Sequence, residues 1–272
     1  MFPSFLLALR EGLEAALIIG IVFGALRKLQ RTELAPAVWL GVVSAAAVSI
    51  IGAWLLNLLG ASFEGATEEI FEGLTMFAAA TVLTWMIFWM QRQARTLQSE
   101  LESDVRRAAQ SSRAQALFAL SFFAVVREGI ELALFLTAAA ITSTAAQTLL
   151  GAALGLAASA VLGWSLFAST ARLNLRRFFQ VTSFLLIIFA AGLVAHGIHE
   201  FNEVGWIPAL VEHLWDVNHI VDENGPLGVV LKSLFGYNGN PSLSEVTGYL
   251  LYFVAIFFGL RRRQVLSSSV DR

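Results

Sequence analysis

The chain has no cysteine in its 272 residues. Disulfides, thiolate metal sites and iron–sulfur clusters are therefore excluded. A carrier of soft Cu(I), which favours Cys and Met ligands, is disfavoured with them. Histidine is scarce, and all four (His196, His199, His213, His219) fall in the last third of the chain. No Glu-x-x-His pair occurs, so the ligand pattern of a membrane di-iron oxidase is missing. No Walker motif is present, which argues against intrinsic ATP hydrolysis. Charge is thin at 14% of residues, against about 25% in an ordinary soluble domain. What remains is 57% hydrophobic, in blocks of roughly 20 residues, the length that crosses a bilayer core of about 30 Å.

These blocks predict transmembrane helices near 4–26, 36–60, 71–91, 115–141, 147–170, 178–201 and 245–261. The first lacks a positive n-region and a small-residue cleavage site, and reads as a retained span rather than a signal peptide. Lys and Arg set the orientation. Arg27, Lys28 and Arg31 follow the first span, and Arg92, Arg95, Arg106, Arg107 and Arg113 lie between the third and fourth. Arg172, Arg176 and Arg177 lie between the fifth and sixth, and Arg261, Arg262 and Arg263 follow the seventh. The other connections are acidic or free of Arg, with Lys232 the one exception. The expectation is an all-α polytopic membrane protein with its N-terminus outside and its C-terminus in the cytoplasm.

One segment repeats. Phe5 to Glu14 aligns with Phe122 to Glu131, so that Arg10-Glu11-Gly12-Leu13-Glu14 matches Arg127-Glu128-Gly129-Ile130-Glu131. Gly41 and Gly52-Ala-Trp54 resemble Gly151 and Gly163-Trp164 further on. The two copies begin on spans of opposite direction. This predicts two inverted three-helix repeats, 1–91 and 115–201, joined by a cytoplasmic connection at 92–114. An extracytoplasmic loop (202–244) and a seventh helix with a basic tail (245–272) follow. Transporters built from inverted repeats place their substrate near the midplane, where both motifs fall.

A charge at the bilayer centre costs about 2.5–3.5 kcal/mol on insertion scales. The six motif charges must therefore face the protein interior. Within each motif the two Glu are i,i+3 neighbours and the Arg reaches the second Glu at i,i+4. Four carboxylates against two guanidinium groups leave a net charge of −2, suited to a divalent or trivalent cation. Glu11, Glu14, Glu128 and Glu131 are the expected ligands, with Arg10 and Arg127 as charge partners. Buried ion pairs that merely fix helix register, or a proton relay without metal, are the alternatives. Two further clusters are candidates for outer metal capture. Glu68, Glu69 and Glu72 stand at the start of the third span beyond Glu64, where a solvated acidic helix end is the plain alternative. His196, His199, Glu200 and Glu203 form one stripe at the outer end of the sixth span, an acceptable ligand set for iron, manganese or zinc. The spacing of Glu212, Asp216, His219 and Glu223, with His213 beside it, predicts an amphipathic helix on the outer surface, with Trp206 and Trp215 at the interface.

The paired motif resembles the oxidase-dependent iron transporter family, which groups fungal high-affinity ferric permeases with bacterial EfeU-type iron permeases. The likeness extends through Arg10 to Leu17, Phe71-Glu-Gly73, Leu83-Thr-Trp-Met86, Phe88-Trp-Met90, Phe123 to Glu131, Arg172-Leu-Asn-Leu175, Glu203-Val-Gly205, Phe235-Gly-Tyr237 and Ser244-Glu-Val246. It implies seven helices with the N-terminus outside. It also implies metal binding by the two Arg-Glu-Gly-x-Glu motifs and an outer Glu-x-x-Glu element at Glu69 to Glu72. The implied substrate is iron, with no permanent cofactor, and the implied location is the bacterial inner membrane. Implied partners are a periplasmic cupredoxin-like iron-binding protein and a haem peroxidase, in place of the fungal multicopper oxidase. Transport of another hard cation (lead, manganese or magnesium) stays open, because oxygen ligands alone do not separate these ions.

Overall fold

The computed structural model describes residues 1–93, 103–108, 114–168, 175–223 and 225–270. Arg95, Arg113 and Arg172, used above for orientation, lie outside the described residues, as does much of the 92–114 connection. Among the described residues the chain is helical and has no strand. The helices are α1 (Phe2–Lys28), α2 (Ala35–Ala61), α3 (Ala66–Gln93), α4 (Ala114–Ile141), α5 (Ala145–Ala168), α6 (Leu175–Glu203), α7 (Pro226–Phe235) and α8 (Leu243–Val270). A 3-10 turn at Thr32–Leu34 joins α1 to α2, and residues 103–108 are also helical.

Local chemistry explains the ends. Pro3 opens α1, where its missing N–H costs nothing, and Arg27 and Lys28 close it against the negative end of the dipole. Gly65, at φ +57°, turns the chain into α3, whose first turn carries Glu68 and Glu69. The Thr144 hydroxyl accepts the Gln147 N–H at the start of α5 (3.3 Å). Ser242 and Glu245 cap α8 reciprocally, each accepting the other's backbone N–H (3.2 and 3.1 Å).

Polarity is distributed as a bilayer requires. Trp39, Leu40, Val43, Ile50, Ile51 and Trp54 are exposed along α2, as are Leu149, Leu150, Leu154, Val161 and Trp164 along α5. Arg10, Glu11, Glu14, Glu128 and Glu131 are buried. Water would strongly disfavour that arrangement, whereas lipid favours it. Among the described residues, five stretches are long and apolar enough to cross a membrane: Thr32–Gly60, Ala66–Trp89, Ala145–Leu166, Arg177–Glu203 and Leu243–Arg261. α1 and α4 match these in length, but each carries three motif charges near its middle. The molecule is an all-α membrane protein.

The chain forms two compact units. The first holds Met1–Leu59, Met90–Ala140 and Thr144–Thr182, and the second holds Gly60–Trp89, Ile141–Ser143 and Ser183–Arg272. In the first, α1 packs along α5 through small residues four apart. Gly151 faces Ser4, Gly155 faces Ala8, Ser159 faces Gly12, and Gly163 faces Ala16. A Cβ on any of these glycines would collide with its neighbour, so the backbones meet at the closest approach glycine permits. α4 packs on α2 by the same device. A Cβ at Gly151 would meet Met1 O, Phe5 N and Ser4 Cβ, and one at Gly41 would meet Phe118 O, Phe122 N and Ser121 Cβ. Gly12 abuts Ser159, and Gly129 abuts Ser49. One seam is the other shifted by 117 positions on one helix (Ser4 to Ser121) and 110 on its partner (Gly41 to Gly151). Val105 and Ala108, from the connection, are buried with Val22, Leu26, Val38 and Leu117.

In the second unit α3 and α6 cross reciprocally. The Phe201 ring covers Gly73, the Phe77 ring covers Gly197, and the two rings stack at 5.5 Å. Gly192 of α6 touches Gly236, the left-handed cap of α7 (φ +67°). The helix expected across Glu212 to Glu223 is absent, a correction to the periodicity argument, and that stretch consists of turns. Gly205 and Leu210 have positive φ, and Pro208 offers no N–H. The backbone then bonds across the chain, Leu214 N–H to Pro241 O (3.0 Å) and Val217 N–H to Gly239 O (2.9 Å). The Asp216 carboxylate accepts the Asn218 N–H (3.0 Å), as a turn-forming Asp does. Trp206 and Trp215 are exposed.

Candidate metal centre

Gly12 and Gly129 bring α5 and α2 close beside the motifs, and the charged side chains turn into the interior that results. Arg10 is wholly buried, and Glu11, Glu14, Glu128 and Glu131 are at most 8% exposed. Arg10 Nε lies 3.2 Å from a Glu14 oxygen along its own helix. On α4, Arg127 Nη2 donates to Glu128 Oε1 (2.9 Å) and Arg127 Nε lies 3.5 Å from Glu131 Oε1. Arg127 therefore holds one oxygen of each α4 carboxylate and leaves the second of each exposed to the interior.

Glu11, Glu128 and Glu131 each bring one carboxylate oxygen within 4.8 Å of the other two. Bonds from a hard cation to oxygen run about 2.0–2.6 Å, so opposite ligands stand about 4–5 Å apart. The separation suits one ion. Both oxygens of Glu11, Oε2 of Glu128 and Oε2 of Glu131 are buried with no hydrogen-bond partner among the described residues. Stranding a buried carboxylate in this way costs several kcal/mol unless a cation, or a proton shared with a neighbouring carboxylate, compensates it. Three carboxylates offset by Arg127 leave a local charge of −2, while Arg10 and Glu14 neutralise each other. Of the four expected ligands, the geometry gathers three, and Glu14 lies against Arg10 instead.

The outer candidates divide differently. Glu68 and Glu203 are exposed, while Glu69, Glu72 and Glu200 are half-buried. Glu72 and Glu200 are within electrostatic reach of each other, as are Glu69 and Glu200. Together they make an acidic rim on α3 and α6. The two histidines point to separate partners. His196 Nδ1 lies 3.1 Å from Gly192 O, beside Lys232, and His199 Nδ1 lies 3.1 Å from Glu245 Oε1. A neighbouring ammonium suits a cation poorly. Among the described residues, the one group of three or more acidic or histidine side chains with metal-binding spacing is Glu11, Glu128 and Glu131.

Several partners were not singled out from the sequence. Glu245 accepts His199, the Ser242 N–H and the Asn238 amide (2.9 Å). Its signal was the Ser-x-x-Glu pattern of Ser242 to Glu245. Ser49 and Ser159, against the motif glycines, were legible as members of the small-residue runs four apart.

A buried carboxylate cluster with open oxygens, inside an all-α membrane protein, has the donor chemistry of a hard-cation site. The sequence matches the Iron permease FTR1 family over residues 1–267. It is 35% identical to the ferrous iron permease EfeU of Yersinia pestis, covering 99% of this chain and 97% of that one. It is 38% identical to the proteins of the same name from Escherichia coli O6:K15:H31 (strain 536 / UPEC) and Shigella sonnei (strain Ss046), over 93% of each chain. No solved structure matches. The chain belongs to the FTR1 family of iron permeases, and it is a membrane transporter of iron rather than an enzyme.

Proposed function

We propose that the chain carries Fe2+ into the cytoplasm through the Glu11, Glu128 and Glu131 cluster. The observation that carries this reading is the set of buried carboxylate oxygens without partners, grouped within the reach of one ion. Their local charge of −2 balances a divalent ion, and the relatives are named ferrous iron permeases. On release, Arg10 and Arg127 supply the counter-charge, with Glu14 as the ion's further carboxylate contact. Seven membrane helices, an outer N-terminus and two inverted repeats fit the Lys and Arg pattern, and the duplicated α1/α5 and α4/α2 seams support the repeat. Glu68, Glu69, Glu72, Glu200 and Glu203 concentrate cations at the outer surface. A bacterial inner membrane and periplasmic cupredoxin-like and haem peroxidase partners follow from the family resemblance.

Proteoliposomes loaded with the purified chain test the reading. Radioactive iron is supplied as Fe2+ with ascorbate, or as chelated Fe3+, to wild type, Glu14→Ala and Glu131→Ala. Uptake of Fe2+ that collapses in Glu131→Ala and weakens in Glu14→Ala is expected. Wild-type uptake by both variants would remove the motifs from the transport path, and a preference for Fe3+ would overturn the assignment of charge. Competition by Mn2+, Pb2+ and Mg2+ in the same assay measures how far the all-oxygen site separates hard cations.

A further inference from the structure

Two buried hydroxyls have no use in the packing. Ser4 is fully buried and Ser121 is 2% exposed, and neither Oγ has a hydrogen-bond partner among the described residues. Other helix serines satisfy themselves by bonding back to their own helix, Ser49 to Ala45 O (2.9 Å) and Ser159 to Leu156 O (2.8 Å). Ser4 and Ser121 occupy the same place in the two motif-bearing helices, each pressed against the glycine of a parallel neighbour, Gly151 and Gly41. Each stands seven residues before the first motif carboxylate, Glu11 or Glu128. Two helical turns put it on the same face and about 10 Å away along the axis. An orphaned hydroxyl disfavours a closed, dry seam, and the cost is relieved when a ligand or water reaches it.

We propose that Ser4 and Ser121 line the outer and inner arms of the iron path, each supplying a hydroxyl contact to the ion as its seam parts. The inference rests on the carboxylate-cluster reading and on the N-terminus lying outside. In that orientation α1 enters from the outer face, so Ser4 lies outward of Glu11. α4 enters from the cytoplasm, so Ser121 lies inward of Glu128. Gly151 and Gly41 then mark the two places where helices separate, one for each side of the membrane. Hydroxyl oxygen is a weaker partner than carboxylate, which suits a contact the ion must leave.

The absence of cysteine makes the test direct, because Ser4→Cys and Ser121→Cys each create the single thiol in the chain. Each variant is treated with a membrane-impermeant maleimide in right-side-out and inside-out vesicles, with and without Fe2+ and ascorbate. Val43→Cys, on the exposed face of α2, is the lipid-facing control. Ser4→Cys should react from the outer side and Ser121→Cys from the inner side. Iron at ten times its Kd should slow each reaction about ten-fold. Inert thiols, reversed sidedness, or rates indifferent to iron would overturn the proposal. Ser4→Ala and Ser121→Ala give a second readout that does not depend on labelling. Removing an orphaned hydroxyl should raise the thermal midpoint while iron uptake falls several-fold, whereas a hydroxyl with no part in transport would leave uptake unchanged. Uptake by Glu11→Gln in the same vesicles separates the two levels. If it is abolished while the thiols stay inert, the hydroxyl arms fall and the carboxylate site stands. If Glu11→Gln transports normally, the carboxylate reading itself falls.

Discussion

Glu11 and Glu245 are both buried glutamates on membrane-protein helices, and their surroundings are opposite. Glu245 accepts hydrogen bonds from His199, Asn238 and the Ser242 backbone, and in doing so caps α8. Glu11 has two buried oxygens without a hydrogen-bond partner among the described residues, and it faces two more carboxylates. A satisfied carboxylate contributes to folding, since its donors have nowhere better to go. A stranded one opposes folding, and under the proposed function its role is to hold an ion. The same contrast separates the two units. Histidine and glutamate on α6 and α8 form a joint between elements, while the motif carboxylates on α1 and α4 form an open socket.

The sharpest way to break the comparison is to neutralise each glutamate in turn. Glu11→Gln removes one charged ligand of three, a loss on the order of 3 kcal/mol or about 100-fold in iron affinity. Its thermal stability should hold or rise, because a buried uncompensated charge has gone. Glu245→Gln should do the reverse. It weakens a charged hydrogen-bond hub and a helix cap, about 2–4 kcal/mol of stability together, while the iron affinity of the folded protein is unchanged. Paired measurements of thermal unfolding and iron binding on both variants check this. Equal losses of both properties in both proteins would erase the distinction.

Smaller effects sharpen it. Gly12→Ala forces α1 against Ser159 and should cost about 1–3 kcal/mol by overpacking. Ser159→Gly should restore iron uptake to that variant, and Ser49→Gly should not. The converse holds for Gly129→Ala, which Ser49→Gly should rescue. The smallest change is expected at the exposed rim. Glu68→Gln combined with Glu203→Gln should raise the KM for iron about two-fold at low ionic strength and lose that effect near 0.5 M salt, where screening is short-ranged.

Much of this was legible in the residues. Over the described residues the apolar blocks coincide with helices, because lipid length and helix rise impose one scale on both. The helices overrun the blocks at their ends: α3 begins at Ala66, ahead of its apolar run, and α8 continues to Val270. Hydropathy registers where the bilayer is, whereas backbone hydrogen bonding decides where a helix stops. The motif pairing was readable from Arg10-Glu11-Gly12 and Arg127-Glu128-Gly129 alone. What spacing could not reveal was which partner each charge takes. Glu14 and Glu131 are equivalent in the alignment, yet Glu14 lies against a fully buried Arg10, whereas Arg127, 39% exposed, is shared by Glu128 and Glu131. The stripe of His196 and His199 shows the same limit. Two side chains one turn apart share a face, but Gly192 O and Glu245 draw them to different neighbours. Glu212 to Glu223 shows the converse limit, since a helical period in polar residues has no force where Gly205, Pro208 and cross-chain hydrogen bonds dictate the backbone.

The most direct test of the socket is the iron K-edge X-ray absorption spectrum of the purified protein, loaded anaerobically with Fe2+. A coordination shell of oxygen alone, present in wild type and in His196→Ala combined with His199→Ala, and lost in Glu11→Gln, is the expected result. The multiple-scattering signature of imidazole in the wild-type spectrum, vanishing in the double histidine variant, would place the ion on α6 and contradict the assignment of Glu11, Glu128 and Glu131.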